Sequence, residues 1–276
     1  MRNTWAVCKR EFSSFFTTPV GYIIVGTYAA ISGLAFAATF ILFCRITQAP
    51  SEYAYEGIPD FEELMLSPYL VFCGQLMLFI GPLITMRLLA EERNRGTMEL
   101  LLTHPLRDRD IVFGKYLASL AIVGVLMAIV GVHLVIIAQY TDVEPAVLVF
   151  GLVTVFLMSA AFMSLGLFVS AMTASQITAG ILTFGIWFVL YILGTYGSDM
   201  PEQITVPAQW AGTIESVARF AYGIFRQLVV ELPLDGHAEE MAQGIVQPAD
   251  IAYYVLLASF FLFLTFRALE SRKWRA

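Results

Sequence analysis

The sequence predicts an all-α, polytopic membrane protein with six transmembrane helices, and three observations predict it. Hydrophobic residues make up 58% of the 276-residue chain, charged residues only 14%, and the mean hydropathy is +0.74. Soluble domains carry about 45–50% apolar and about 25% charged residues, so this chain has too little charge to cover a water-exposed surface. The same abundance of apolar and aromatic residues excludes disorder. Finally, the apolar runs are long and lack strict alternation, which selects helices over a closed barrel. A span needs about 20 apolar residues to cross roughly 30 Å of hydrocarbon. Six segments qualify, at 20–44, 67–90, 112–138, 146–172, 176–196 and 250–268.

The chain begins with an amphipathic stretch over 2–18, ahead of the first span. Trp5, Cys8, Phe12, Phe15 and Phe16 share one helical face, and Asn3, Arg10, Ser13, Ser14 and Thr17 the other. Such a helix lies at the membrane interface with its apolar side toward acyl chains. Lys9 can reach the headgroups while its stem stays in apolar surroundings. Pro19 marks the turn into the first span. Two readings stand: a plain anchor, or an elbow helix (1–19) that moves with the first span.

Orientation follows from the basic residues. Of the 16 Lys and Arg residues, only Arg45, Arg219 and Arg226 fall on the side opposite the termini. Both termini and the loop between spans two and three are therefore expected in the cytoplasm. Acidic residues lean outward, with Glu52, Glu56, Asp60, Glu62 and Glu63 in the first outer loop and Asp199, Glu202, Glu215 and Glu231 among those in the third. Solubility of those loops accounts for them. No cleavable signal peptide is expected, because the first apolar run is too long.

The inner loop at 91–110 is the most informative segment. Ala90-Glu91-Glu92-Arg93-Asn94-Arg95 is highly charged; Gly96 permits a break, and Thr97 can cap a short helix through Met98, Glu99, Leu100, Leu101 and Leu102. Pro105 ends it, since the residue before proline resists α geometry. Thr97, Leu101 and His104 share a face, with Leu100 beside them. A further helix is expected to start near Asp108 and Asp110, whose charge suits a helix N-terminus. An ordinary charged connection explains the arginines but not a defined helix with three consecutive leucines. A compact cytoplasmic knob with an apolar face points to a partner groove.

The outer segment at 197–249 is too long for a turn. Ile214, Val217, Ala221, Ile224, Phe225, Leu228 and Leu232 recur at helical spacing, predicting an amphipathic or partly re-entrant helix on the outer leaflet that either caps an exit path or stabilises the outer rim. In the tail, Tyr253 and Tyr254 suit the outer interface and Arg272-Lys273-Trp274 the inner one.

Within the spans, Gly81-Pro82 is a candidate hinge. His133 is a functional candidate by position, with a packing role in contact with a neighbouring helix the favoured reading. Gly166 and Ser170 have the small-xxx-small spacing of close helix approach. Cys44 and Cys73 lie near the outer ends of their spans and are expected to be free thiols. No P-loop, H-E-x-x-H or G-x-S-x-G occurs: Gly114-Lys115 resembles the end of a P-loop, but Tyr116 follows where Ser or Thr is required. The chain is therefore expected to hydrolyse no ATP alone. No metal site and no nucleic-acid partner is expected. The scarcity of mid-membrane carboxylates argues against ion-coupled secondary transport, and an intramembrane enzyme would need paired catalytic groups that His133 alone does not supply.

Three stretches carry a family resemblance. They are Lys9-Arg10-Glu11-Phe12 with Phe16 and Thr18-Pro19-Val20-Gly21-Tyr22; Ala90-Glu91-Glu92-Arg93 through Gly96 to Pro105 and on to Ile111-Val112-Phe113-Gly114-Lys115-Tyr116; and Gly244-Ile245-Val246 with Asp250, Tyr253-Tyr254 and the basic end. Together they resemble the permease subunit of a type 2 ABC exporter, nearest to the gliding-motility-type ABC permeases. The resemblance implies one permease domain over 1–276, pairing with a second copy or a paralogue above two ABC ATPase subunits. Those subunits would bind the ATP and Mg; this chain would bind no cofactor. It also implies that Gly96–Pro105 is the coupling helix seated in the ATPase, that Glu91, Glu92 and Arg93 pair with it through charges, and that 204–234 belongs to the outer gate. A rival function uses the same parts: a non-transporting membrane component that passes ATPase motion to an extracytoplasmic partner.

Overall fold

A computed structural model describes residues 2–53, 55, 59–94, 96, 107–197, 200–201 and 213–273, and it is helical. Helix α1 (Arg2–Thr17) leads into α2 (Pro19–Gln48). Thr18 between them is extended, and Pro19 opens α2, where a missing N–H costs nothing. Helices α3 (Ser67–Gln75), α4 (Met77–Thr85) and α5 (Ala90–Asn94), preceded by a π-turn at Glu62–Leu66, form one interrupted span. Then come α6 (Asp108–Tyr140), α7 (Pro145–Met172), α8 (Gln176–Gly197), α9 (Thr213–Glu231), α10 (Leu234–Ala242) and α11 (Pro248–Lys273).

Six helical stretches are long and apolar enough to cross a membrane: Pro19–Gln48, Glu62–Asn94, Asp108–Tyr140, Pro145–Met172, Gln176–Gly197 and Pro248–Ser271. Each contains most or all of one segment predicted from the apolar runs. The helix expected to start near Asp108 does start there, with Asp108 and Asp110 in its first turn, and it continues into the third span as α6. Most spans run several residues beyond their apolar stretch, because helical hydrogen bonding continues into the polar flanks.

Helix α7 is the hub. Met158, Ala161, Met163 and Leu167 are buried, and α7 lies against α11, α6, the second span, α8 and α10. Small residues permit this. A Cβ at Gly166 would lie 2.7 Å from the Cβ of Thr85, so only glycine allows the second and fourth spans to meet there. The predicted small-residue contact thus has a definite partner. By contrast, α2, α8 and α11 carry exposed apolar side chains such as Ile23, Leu34, Ile181, Val189 and Leu256. In a bilayer such surfaces face lipid or another membrane helix at no cost.

His133 takes the packing role. Its Nδ1 lies 2.6 Å from the Tyr69 hydroxyl, and its ring stacks on Phe36 at 4.9 Å, tying the first three spans together. Cys44 and Cys73 are free thiols. Pro82 sits inside α4, buried with Gly81; the regular helix is interrupted before them at Leu76 and after them at 86–89.

Candidate functional site

The end of the bundle that carries the start of α1 gathers α1, α5, α6 and the end of α7 around one ion network. Helix α1 runs alongside the first turns of α6. Thr4 donates to Asp110 Oδ1 at 2.9 Å, and a Cβ at Gly114 would come within 2.7 Å of the Val7 Cβ. This close approach needs glycine at 114 and brings the next residue, Lys115, under Glu11. Lys115 Nζ lies 3.0 Å from Glu11 Oε1 and 3.0 Å from Glu92 Oε1, with a side chain 1% exposed. Arg10 reaches the same two oxygens from outside, at 2.6 Å and 3.0 Å. Two cations thus share two carboxylates from three helices.

Such an arrangement is stable only while complete. Burying an ammonium costs several kcal/mol, and close carboxylates offset this. Burial pushes the Glu11 carboxyl up, but the Lys115 charge and the hydrogen bonds and charge of Arg10 outweigh it and hold it below the usual glutamate range.

The second span ends at this network through further ties. Leu89 and Ala90 donate their backbone N–H groups to Ser170 Oγ on α7, at 3.1 and 3.0 Å, and Ser170 donates to the Met86 carbonyl at 3.3 Å. These bonds hold the irregular turn at 86–89, whose backbone groups would otherwise be unpaired in the membrane. Arg93 Nη1 donates to the Met172 carbonyl at 3.0 Å. Helix α5 is thereby bound to α1, α6 and α7. It ends at Asn94, and Gly96 follows with φ +67°, the left-handed break expected there.

Of the residues singled out from sequence, Arg10, Glu92 and Arg93 are brought into this junction. Glu91 lines an adjoining polar cleft of about 310 Å³ with Glu11, Ser14 and Arg87. Trp5, Lys9 and Phe12 face a separate groove against α6. Phe16 packs edge-on against Phe15 and Tyr22. Thr97, Glu99, Leu100, Leu101, His104 and Pro105 lie outside the described residues. The residues missed as a site are Glu11, Lys115 and Ser170. A lysine inside a span requires a partner, and that signal points at Lys115. Val7 and Glu11 also face the bundle rather than the apolar exterior.

Two other places have chemical character. Between the second and fifth spans, Phe72, Gln75, Phe79, Phe188 and Tyr191 line a cleft of about 170 Å³. Beside it, Trp187 is buried with its indole N–H lacking an acceptor among the described residues. At the opposite end of the bundle, His237 bridges Asp250 at 2.8 Å and the Glu231 carbonyl at 3.1 Å and stacks on Tyr253 at 4.2 Å. Among the described residues, no cluster of three or more His, Cys, Asp or Glu is placed to hold a metal ion.

The family profile described as ABC-2 family transporter protein matches residues 5–274. The chain belongs to the ABC-2 transporter family. An ABC-2 permease is a transmembrane component of an ABC transporter and not its ATPase, and the family works with ABC ATPase partners. No curated protein matches the chain.

Proposed function

We propose that this ABC-2 permease is the membrane half of an ATP-driven exporter. It would form the translocation path with a second permease copy or paralogue and take its work from two cytoplasmic ATPase subunits, which would hold the ATP and Mg. The motifs at 9–22 and 90–116 support a gliding-motility-type permease of the inner membrane with both termini cytoplasmic.

The observation that carries this reading is the anchoring of α5. The chain on either side of 95–106 is tied to the elbow helix, through Glu92–Arg10 on one side and Asp110–Thr4 on the other. A push on that segment therefore reaches α1, α6 and α7 together. In this mechanism ATP closes the ATPase dimer and the segment from Gly96 to Pro105 moves as its seat. The elbow and spans then tilt, and the path opens outward. The ATPase must hold the segment differently in its two states, because only differential affinity shifts an equilibrium. Gly81 and Pro82, between interruptions of the second span, are our candidate hinge.

The cleft around Gln75 and Tyr191 favours export, since a transported molecule needs a lining that is neither fully polar nor fully apolar. The rival reading, transmission of force to an extracytoplasmic partner, draws on α9, which leaves Val217, Phe220 and Phe225 exposed. Isolation of the intact complex tests the proposal: a P-loop ATPase at equal stoichiometry supports it, and a permease that purifies without any ATPase contradicts it. Substrate flux in vesicles separates export from force transmission.

A further inference from the structure

The groove beneath the elbow helix has a feature that ATPase coupling does not use. Trp5, Lys9 and Phe12 of α1, Leu117 and Ala121 of α6, and Phe156 of α7 enclose about 640 Å³. Its lining is apolar except at the Lys9 end. Lys9 is exposed and forms no ion pair among the described residues, unlike Arg10 and Lys115. Trp5 beside it is 67% exposed. A tryptophan next to a lone lysine at one end of an apolar trough is the arrangement found at headgroup level. From Asp108, where α6 begins, to Ala121 the helix rises about 20 Å. On α6 the groove is lined from Leu117 to Ala121, about the last 6 Å of that rise.

We infer that this groove is a binding site for an anionic phospholipid, with one acyl chain along Leu117, Ala121 and Phe156 and the headgroup phosphate at Lys9. The charge selects the occupant. A second permease copy needs no anion at Lys9, and a zwitterionic headgroup sets its own cation beside the lysine, so a headgroup with net negative charge suits it better. A basic side chain beside a trough between membrane helices favours an anionic headgroup. Because α1 also carries Arg10 and Glu11, a lipid seated here would brace the same helix that holds the ion network.

The test reconstitutes the full chain in nanodiscs with phosphatidylglycerol or phosphatidylcholine bearing a photoreactive acyl chain, and maps the labelled peptides. Phosphatidylglycerol should label the peptides containing Trp5–Phe12 and Leu117–Ala121 about fivefold more than phosphatidylcholine does. Lys9→Glu, at an exposed position, should bring the two lipids level. Ala121→Trp, which fills the trough, should lower labelling by both. Equal labelling of the unmodified protein by the two lipids would overturn the inference. So would unchanged selectivity in Lys9→Glu, or efficient cross-linking of Phe156→Cys between two permease copies with the groove unlabelled.

Discussion

Lys115 and Glu92 meet at 3.0 Å, joining the start of the third span to the end of the second beneath a lysine side chain that is 1% exposed. Between them runs the segment that we propose seats the ATPase. The pair closes the base of that segment, and Glu11 and Arg10 attach the elbow helix to it.

Lys115→Met should therefore destabilise the permease by about 3–5 kcal/mol, because two carboxylates are left with one partly exposed cation. Adding Glu11→Gln should recover part of the loss. Thermal unfolding in detergent measures both, and additive effects of the two substitutions would contradict a shared network.

Glu92→Arg sets a third cation against Arg10 and Lys115. We expect the protein still to insert in the membrane but to lose transport-linked stimulation of the ATPase. Leu101→Asp should do the same from the segment itself. ATPase activity of the reconstituted complex is the readout, and normal stimulation in both variants would refute the assignment.

Acid should loosen the junction. The folded Glu11 pKa lies below its ordinary value, so its contribution is fully present above the unfolded pKa of about 4.3 and disappears as pH falls through the folded value. Unfolding temperature should thus fall below about pH 4.3 more steeply in the unmodified protein than in Glu11→Gln. Identical pH profiles would remove Glu11 from the network.

Ser170→Ala removes the acceptor shared by the Leu89 and Ala90 amides. The cost should be about 1–3 kcal/mol, since the amides have no water to turn to. Faster hydrogen exchange at 86–90 should accompany it.

At the end of the bundle away from the ion network, His237→Ala should free α10 from Asp250 and from the end of α9. Limited proteolysis of inverted vesicles and of intact cells would detect the change, with faster cutting at 232–247 expected only from the outer face.

The architecture was legible because membrane spans announce themselves by length and apolarity. The short links at 140–145 and 173–175, the turn at Pro19 and the break at Gly96 followed from local chemistry. The site was legible only in part. Arg10, Glu92 and Arg93 stood in charged motifs, but their mates are distant in the chain, and no periodicity couples Glu11 to Lys115 or Arg93 to the end of α7. The apolar pattern of α1 also drew attention to Trp5 and Phe12, whereas the side facing the bundle is set by Val7, Gly114 and the buried ion pairs. Ser170 looked like a small packing residue; its hydroxyl role arises from the irregular backbone across from it.

Work supplied by a cytoplasmic ATPase requires α5 and the segment after it to face the cytoplasm. With Cys8, Cys44 and Cys73 replaced, an Asn94→Cys variant offers an exposed thiol at the end of α5. A membrane-impermeant maleimide should leave it unmodified in sealed cells and label it once the cytoplasm is opened. Labelling in sealed cells would contradict the account, because no cytoplasmic ATPase could then grip this part of the chain.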